Sequence, residues 1–499
     1  MKDKLLKPVQ WHPGPGLYAM GVVMMLVLIL IPLLYLTKYS VPWYDDYNYG
    51  RFAKTAMELE TPTFVNAVKG AWECIRISWY AWQGTYSSIF FMVMMPGIWG
   101  EEYYCFGPFF LIVFLAAAVC VLVYNLLRTI LKSERANALG IAAATASLTL
   151  VMVHTAREGF YWYNGGVHYI GMHSFAMLLV TVAVRILYEQ NNVKRYVWTG
   201  VATVLAFVTA GGNLVTSLQG MLIVLGIAIL GFIFKRNHVI CLLPVLAAYG
   251  GGFWLNITAP GNSKRADNFA GWGLSPVEAV LQSFAEAFQH AWEFTGFMTL
   301  LFLLLMLPLV WHMVNRIDFE FRMPGVVTMA SFCFYATGFT PSLFSLGHAG
   351  LARSLNAVKL TWQLLLVLNL VYWCGWIARR MHRAGQGRMC RWWWCLIVAG
   401  AVFLVFHGEP NQAGSFSSYG AWYYIHSGEA YNFYQEYLNR LTVLKSDEES
   451  VVVEPYIWKP WFLCLGDLSD NPGHESNVAL ASWYDKESVI CGERQIIKN

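Results

Sequence analysis

Charge is what this sequence has least of. Asp, Glu, Lys and Arg make up 13% of its 499 residues, against 57% hydrophobic, where soluble domains carry about 25% charged residues. That shortage excludes an ordinary soluble enzyme, and the apolar excess excludes a disordered chain. A formal net charge of +4 on a chain of this size gives no nucleic-acid footprint, so the positions of the cations matter more than their sum. No Cys-x-x-Cys pair occurs among the ten Cys, which removes the usual zinc and redox signatures. Most of them sit in apolar runs as small hydrophobes, including Cys390 and Cys395 beside a Trp run. Cys464 with Cys491, and Cys74 with Cys105, are the pairs able to bridge. Also absent are Gly-x-x-x-x-Gly-Lys, His-Glu-x-x-His, Gly-x-Ser-x-Gly and Gly-x-Gly-x-x-Gly. A nucleotide motor, a zinc protease and a serine hydrolase of familiar type lose weight accordingly. Internal repeats and matched, Gly/Pro-broken short spans, the marks of a secondary transporter, are missing too.

What is present is a series of apolar runs of membrane-spanning length. The first, 17–36, follows Lys2, Lys4 and Lys7. At about 20 residues it is long enough to cross a bilayer. The following Thr37-Lys38-Tyr39-Ser40-Val41 offers no small-x-small cleavage site, so the run reads as an uncleaved anchor with its N-terminus in the cytosol. Further runs lie near 106–127, 139–154, 169–187, 197–210, 214–234, 239–255, 297–314, 324–343, 355–377 and 392–406, about eleven helices in all. Turns assigned to the cytosol hold Lys132, Arg135, Lys194, Arg195, Lys235, Arg236, Arg316, Arg322 and a cluster from Arg379 to Arg391, whereas the short turns on the other side hold little beyond Arg157 and Arg353. This positive-inside asymmetry places the N-terminus in, the C-terminus out, and the long loops 38–104 and 258–293 outside. The fold class expected is an all-α polytopic membrane bundle over 1–407 with a small outer α/β domain over 408–499.

Each long outer loop holds an amphipathic helix that does not span. Val65, Val68, Trp72, Ile75, Trp79 and Trp82 recur at steps of three and four, giving one Trp-rich face. Ser275-Pro276-Val277-Glu278 combines an N-cap Ser, a Pro at the first helical position and a Glu able to close a capping box. Both helices suit either the headgroup layer or packing on the bundle. In the polar tail, 429–444 and 478–484 read as helices and 451–453 and 461–465 as strands.

Chemistry-bearing residues gather on the outer face. Directly after the first span stands Pro42-Trp43-Tyr44-Asp45-Asp46-Tyr47. Two adjacent carboxylates in an apolar, Trp-rich setting are costly unless a cation or a reacting proton uses them. They read either as a general base with a metal-holding neighbour, or as the N-cap of a helix over 47–58. A second outer turn, from His154 to Tyr169, contains Arg157, Glu158, Trp162, Asn164 and His168; Arg157 and Glu158 suit either a site or each other. A third segment, Asn256 to Arg265, ends in the adjacent cations Lys264 and Arg265 after Asn262. Such a turn suits a bound phosphate or lipid headgroups. A fourth turn adds Arg353. Carboxylates first and cations in three later outer loops fit a base that deprotonates an acceptor while cations stabilise a lipid-phosphate leaving group.

With an anchor, an Asp-Asp motif in a long first outer loop, about a dozen spans and an outer C-terminal domain, the sequence resembles the GT-C superfamily of polyprenyl-phosphate-sugar-dependent glycosyltransferases. More closely it resembles a bacterial multi-pass family sharing Asp45-Asp46-Tyr47, the Arg157-Glu158 to Tyr169 stretch, Ala259-Pro260-Gly261-Asn262 with Arg265, and a tail around Gly466-Asp467 to Tyr484. The resemblance implies sugar transfer from a polyprenyl phosphate to an envelope glycan, lipid or protein acceptor at the outer face of the bacterial plasma membrane. By the same resemblance Asp45, Asp46 and Glu158 are catalytic, and Arg157, Lys264, Arg265 and Arg353 contact the donor phosphate. Tyr47, Trp162, Asn164, His168 and Asn262 are the expected substrate contacts. Asp-Asp stands where several relatives have Asp-Glu, which leaves a divalent metal open. A transporter or flippase of lipid-linked sugars, a repeat-unit polymerase and a non-catalytic scaffold are the competing readings.

Overall fold

The computed structural model describes residues 14–268, 271–383 and 416–492. Among them, eight helices are long and apolar enough to cross a membrane, so the chain is a multi-pass membrane protein. Helix α1 (Pro15–Leu36) leads to the first segment expected to lie outside, which forms three helices, α2 (Asp45–Leu59), α3 (Phe64–Ala81) and α4 (Tyr86–Val93). The bundle continues with α5 (Phe106–Thr129) and α6 (Arg135–Val151). After an irregular turn containing the short helix α7 (Tyr163–Gly166) come α8 (Met172–Tyr188), α9 (Asn192–Ala210), α10 (Leu214–Ile233) and α11 (Leu243–Ile257). A second outer segment holds α12 (Pro260–Asn268) and α13 (Pro276–Phe294), followed by α14 (Phe297–Val314), α15 (Pro324–Ala336), α16 (Thr340–Leu346) and the long α17 (Ala352–Arg383).

Of the eleven expected runs, eight lie in these helices, two form helices that are shorter or less apolar, and one is not described. The run at 139–154 belongs to α6, 17 residues of mostly Ala, Gly, Ser and Thr, buried nearly all round. Small residues let neighbouring backbones come close: a Cβ on Gly140 would stand 2.5 Å from Leu309 and 3.0 Å from the Cβ of Ala19. The run at 197–210 belongs to α9, whose first turns spend Asn192, Lys194 and Arg195 and so fall short in apolarity. The run at 392–406 lies outside the described residues.

Both amphipathic outer helices form as their sequences dictate. On α3 the side chain of Thr63 accepts from the N–H of Asn66, an N-cap that supplies one orphan amide of the first turn. Gly70 lets α3 press on α2, where an added Cβ would lie 2.2 Å from the carbonyl oxygen of Phe52. On α13 the capping box is complete, with the Glu278 N–H donating to Ser275 Oγ and the Ser275 N–H to Glu278 Oε2. Its buried face carries Ala279, Ser283, Ala287, His290 and Phe294, while Val277, Leu281, Phe288 and Trp292 face outward.

The C-terminal part comprises α18 (Ser417–His426), α19 (Glu429–Leu444), β1 (Ser450–Val453), α20 (Glu475–Trp483) and β2 (Ser488–Cys491). Helix α18 lies against α1 and α6, with Ser417 Oγ donating to the Leu150 carbonyl at 2.6 Å, so the α/β unit proper begins after it. β1 and β2 pair in parallel, Val451 opposite Val489, with α20 on the crossover, as parallel pairing requires. The strand expected at 461–465 is instead a turn. There Phe462 stacks on Tyr161 at 5.9 Å and meets Tyr424 edge-on at 5.4 Å, an aromatic contact with the bundle that outweighs local β preference. Cys464, Cys491, Cys74 and Cys105 are all free thiols, so neither suggested bridge forms.

Candidate functional site

Helix α2 begins at Asp45, and the residue before it, Tyr44, holds φ at +24°, a region non-glycine residues seldom occupy and one that marks stored backbone strain. The strain is held by tertiary bonds. Asp46, fully buried, accepts from the Trp43 N–H at 2.9 Å and the Tyr104 hydroxyl at 2.8 Å on Oδ2, and from the Asn164 N–H at 3.0 Å on Oδ1. Tyr104 in turn accepts from the Tyr163 N–H at 3.0 Å. One carboxylate therefore ties the start of α2 to α5 and to the second outer turn. Burial pushes its pKa up to about 7, while these three donors pull the other way. Neither Asp caps in the manner the N-cap alternative supposed, although both carboxylates sit favourably at the positive end of the helix.

Asp45 makes no hydrogen bond or ion pair among the described residues. Burial raises its pKa above the usual carboxylate value, Arg353 lowers it and Glu475 raises it. Glu475, at the start of α20, accepts from the Tyr44 hydroxyl at 2.6 Å. Tyr49, one turn along α2, feels the charges of both Asp45 and Arg265. The guanidinium of Arg353 stands 5.3 Å over the Trp162 ring, and that of Arg265 stands 5.1 Å over Trp82 and donates to Gln83 Oε1 at 2.8 Å. Both arginines act electrostatically on His168 and Tyr169. A free carboxylate and two cations thus converge on the second outer turn.

That turn has an unusual backbone. After α6 it runs through π-helical Arg157–Tyr161, the single turn of α7 and π-helical Val167–Gly171 before α8 begins; such widened turns recur at functional sites. Its glycines are needed for close approach: a Cβ on Gly166 would lie 2.6 Å from the Gly159 carbonyl oxygen. Trp162 Nε1, both side-chain polar atoms of Asn164 and His168 Nδ1 are buried without a partner among the described residues. Unpaired buried polar groups are rare in folded proteins, and four on one turn beside a free carboxylate mark a place for a polar ligand. Glu158, half-buried, makes no hydrogen bond or ion pair among the described residues and acts electrostatically on Arg157.

The remaining expected residues are used differently. Arg157 donates to the Cys464 carbonyl at 2.8 Å and stacks 4.2 Å over Trp461, so it clamps the C-terminal unit to the bundle and is not part of the Arg353–Arg265 pair. Arg157→Ala removes both contacts, a loss of about 1–3 kcal/mol. Limited proteolysis of the full chain in nanodiscs is expected to cut between residues 444 and 475 faster in this variant, with the bundle intact. Lys264 is exposed. Asn262 is spent on backbone, accepting from the Gly84 N–H at 3.1 Å and donating to the Asn256 carbonyl at 2.7 Å. Tyr47 packs edge-on against Trp483 at 5.5 Å, joining α2 to α20. Glu475 and Tyr49 were not singled out from sequence. The only local signal for Glu475 is its place in the first turn of a helix, where acids are common. No group of three or more His, Cys, Asp or Glu able to hold a metal gathers among the described residues, so the divalent metal left open by the sequence finds no such ligand set there.

No protein-family model, curated protein or solved structure matches the chain.

Proposed function

We propose that this chain is a membrane glycosyltransferase of the GT-C kind, moving a sugar from a polyprenyl phosphate to a cell-envelope acceptor at the outer face of a bacterial plasma membrane. The observation that carries the reading is the unpaired Asp45 carboxylate in the field of Arg353, which stands over Trp162 on a turn whose buried polar atoms lack partners among the described residues. Asp45 takes the proton of an acceptor hydroxyl while that oxygen bonds the anomeric carbon. The bond from that carbon to the phosphate oxygen breaks, and its electron pair leaves with the polyprenyl phosphate. Arg353 and Arg265 stabilise the charge that develops on the phosphate. Trp162, Asn164 and His168 hold the sugar, and Asp46 fixes the position of Asp45 without entering the reaction. The positive-inside distribution supports an outer position for this end of the bundle.

The test is transfer by the purified full chain in nanodiscs, supplied with polyprenyl-phosphate-linked radiolabelled sugars and envelope extract. Release of polyprenyl phosphate matched by label in an acceptor supports the reading, and growth of the product in repeat units places it among polymerases. A second reading, movement of lipid-linked sugars across the bilayer, is favoured by Lys359. This cation lies buried within α17, 5.4 Å over the Phe294 ring, with no ion pair among the described residues, and ionisable groups inside spans mark transport paths. Lipid-linked sugar crossing sealed vesicles with no release of polyprenyl phosphate would replace the first reading with the second.

A further inference from the structure

A second feature of the described bundle lies away from Asp45. A cavity of about 310 Å³ lies between α5, α8, α10 and α17. Its walls are almost wholly apolar, with Leu126 from the C-terminal end of α5, Leu131 just after it, Val180 from α8 and Tyr372 from α17. Phe321, in the turn between α14 and α15, closes one side and packs edge-on against Tyr372 at 5.4 Å. At the end nearer Asp45 the lining turns polar. There the Thr361 hydroxyl donates to Gln219 Oε1 at 2.9 Å and lies 3.4 Å from His173 Nε2. Cross-linked in this way, these side chains stand between the cavity and the second outer turn, and a hydrocarbon chain coming from the Asp45 end would have to displace them. Between Thr361 and Tyr372 the cavity follows α17 for about 16 Å at 1.5 Å per residue, roughly half of a hydrocarbon core ~30 Å thick. That is the depth of one leaflet.

The opposite end of the cavity reaches the rim of the bundle that carries the cations. Arg128 and Lys132 bracket the cavity-lining Ile130 and Leu131 at the tip of α5. Lys132 is exposed and unpaired among the described residues, and Arg128 is half-buried, with one Nη donating to the Ser133 carbonyl. A slot for one apolar chain, closed by polar groups at mid-depth and bordered at the rim by two cations with no ion pair among the described residues, has the pattern of a lipid site with a negatively charged head. We infer that this cavity takes one acyl chain of an anionic phospholipid from the leaflet opposite Asp45, with the lipid phosphate on Arg128 and Lys132. This site is separate from Asp45 and does not rest on the transfer reading.

The experiment places the full chain in nanodiscs of equal phosphatidylglycerol and phosphatidylcholine and ejects it for native mass spectrometry. The unaltered protein is expected to retain a single phosphatidylglycerol. In the double variant Arg128→Gln, Lys132→Gln, the preference for phosphatidylglycerol over phosphatidylcholine should fall roughly 30-fold, the effect of two surface cations on an anionic head. In Val180→Trp, which fills the slot, neither lipid is retained. The charge variant alters only the rim, so it decides the matter even if Val180→Trp fails to fold. Equal retention of the two lipids by the unaltered chain, retention of none, or unchanged preference in the charge variant overturns the inference. So does finding that the lipid carried through purification is a polyprenyl phosphate.

Discussion

Asp45→Asn lowers sugar transfer by about 10²- to 10⁴-fold, the range spanned by loss of a general base, and leaves thermal stability unchanged. The second half of that expectation follows from the geometry. Asp45 ends on no hydrogen bond and no ion pair among the described residues, so an amide of the same shape breaks nothing. It also removes a carboxylate held above its usual pKa by burial, a modest gain for the fold. The measurement is transfer by matched amounts of each protein in nanodiscs, with intrinsic-fluorescence melting alongside. Equal activity in the two proteins would remove Asp45 from the chemistry and take the transferase reading with it. A melting temperature that drops together with activity would make Asp45 a structural carboxylate.

The neighbouring substitution, Asp46→Asn, acts through stability. The buried carboxylate receives three donors on two oxygens, and an amide offers only one accepting oxygen. One buried N–H or O–H donor then faces an NH₂ group, which costs about 1–3 kcal/mol. The sign of the pH dependence is equally defined. Burial holds this carboxyl at about 7 in the folded protein against 3.8 in the free group. Between those values the folded state keeps a proton that the unfolded chain has released. The associated stability is complete below the lower value and is lost as pH rises through the upper one. Melting of the unaltered chain should therefore fall between roughly pH 4 and pH 7, whereas Asp46→Asn gives a lower curve without that step. A step of the same size in the variant would assign the titration to another group.

These two residues show where sequence reading stops. Adjacent carboxylates opening a helix are legible as a pair, but successive helical residues point about 100° apart. Which one is buried depends on Tyr104 and Asn164, 58 and 118 residues further along the chain. Local signals are legible where local physics decides: the Ser275 capping box is in place and α3 forms, although the face it buries is that of Ala67, Ala71 and Cys74 and not the one that carries Trp72. They failed where an apolar residue had two possible partners. Trp461 to Leu465 has strand composition, yet Phe462 is drawn into the rings of Tyr161 and Tyr424, while the strand that does pair with β1 is Ser488–Cys491. Arg157 was legible as an outer-face cation, but nothing nearby in sequence distinguishes a phosphate from the Cys464 carbonyl and Trp461 ring that hold it. Lys359 lies inside an apolar run, where spacing gives it no partner.

The bond between the Tyr44 hydroxyl and Glu475 joins residues 431 positions apart, and the same seam includes Lys54 with the Trp483 carbonyl and Arg51 with Ser482 at 3.2 Å. Its consequence is temporal. At roughly 5–20 residues per second, a ribosome emits the first carboxylate of the site about 20 to 90 seconds before the last. For that interval the Tyr44 hydroxyl lacks the acceptor that Glu475 supplies. The site closes only when the segment that carries Glu475 has been delivered to the same side.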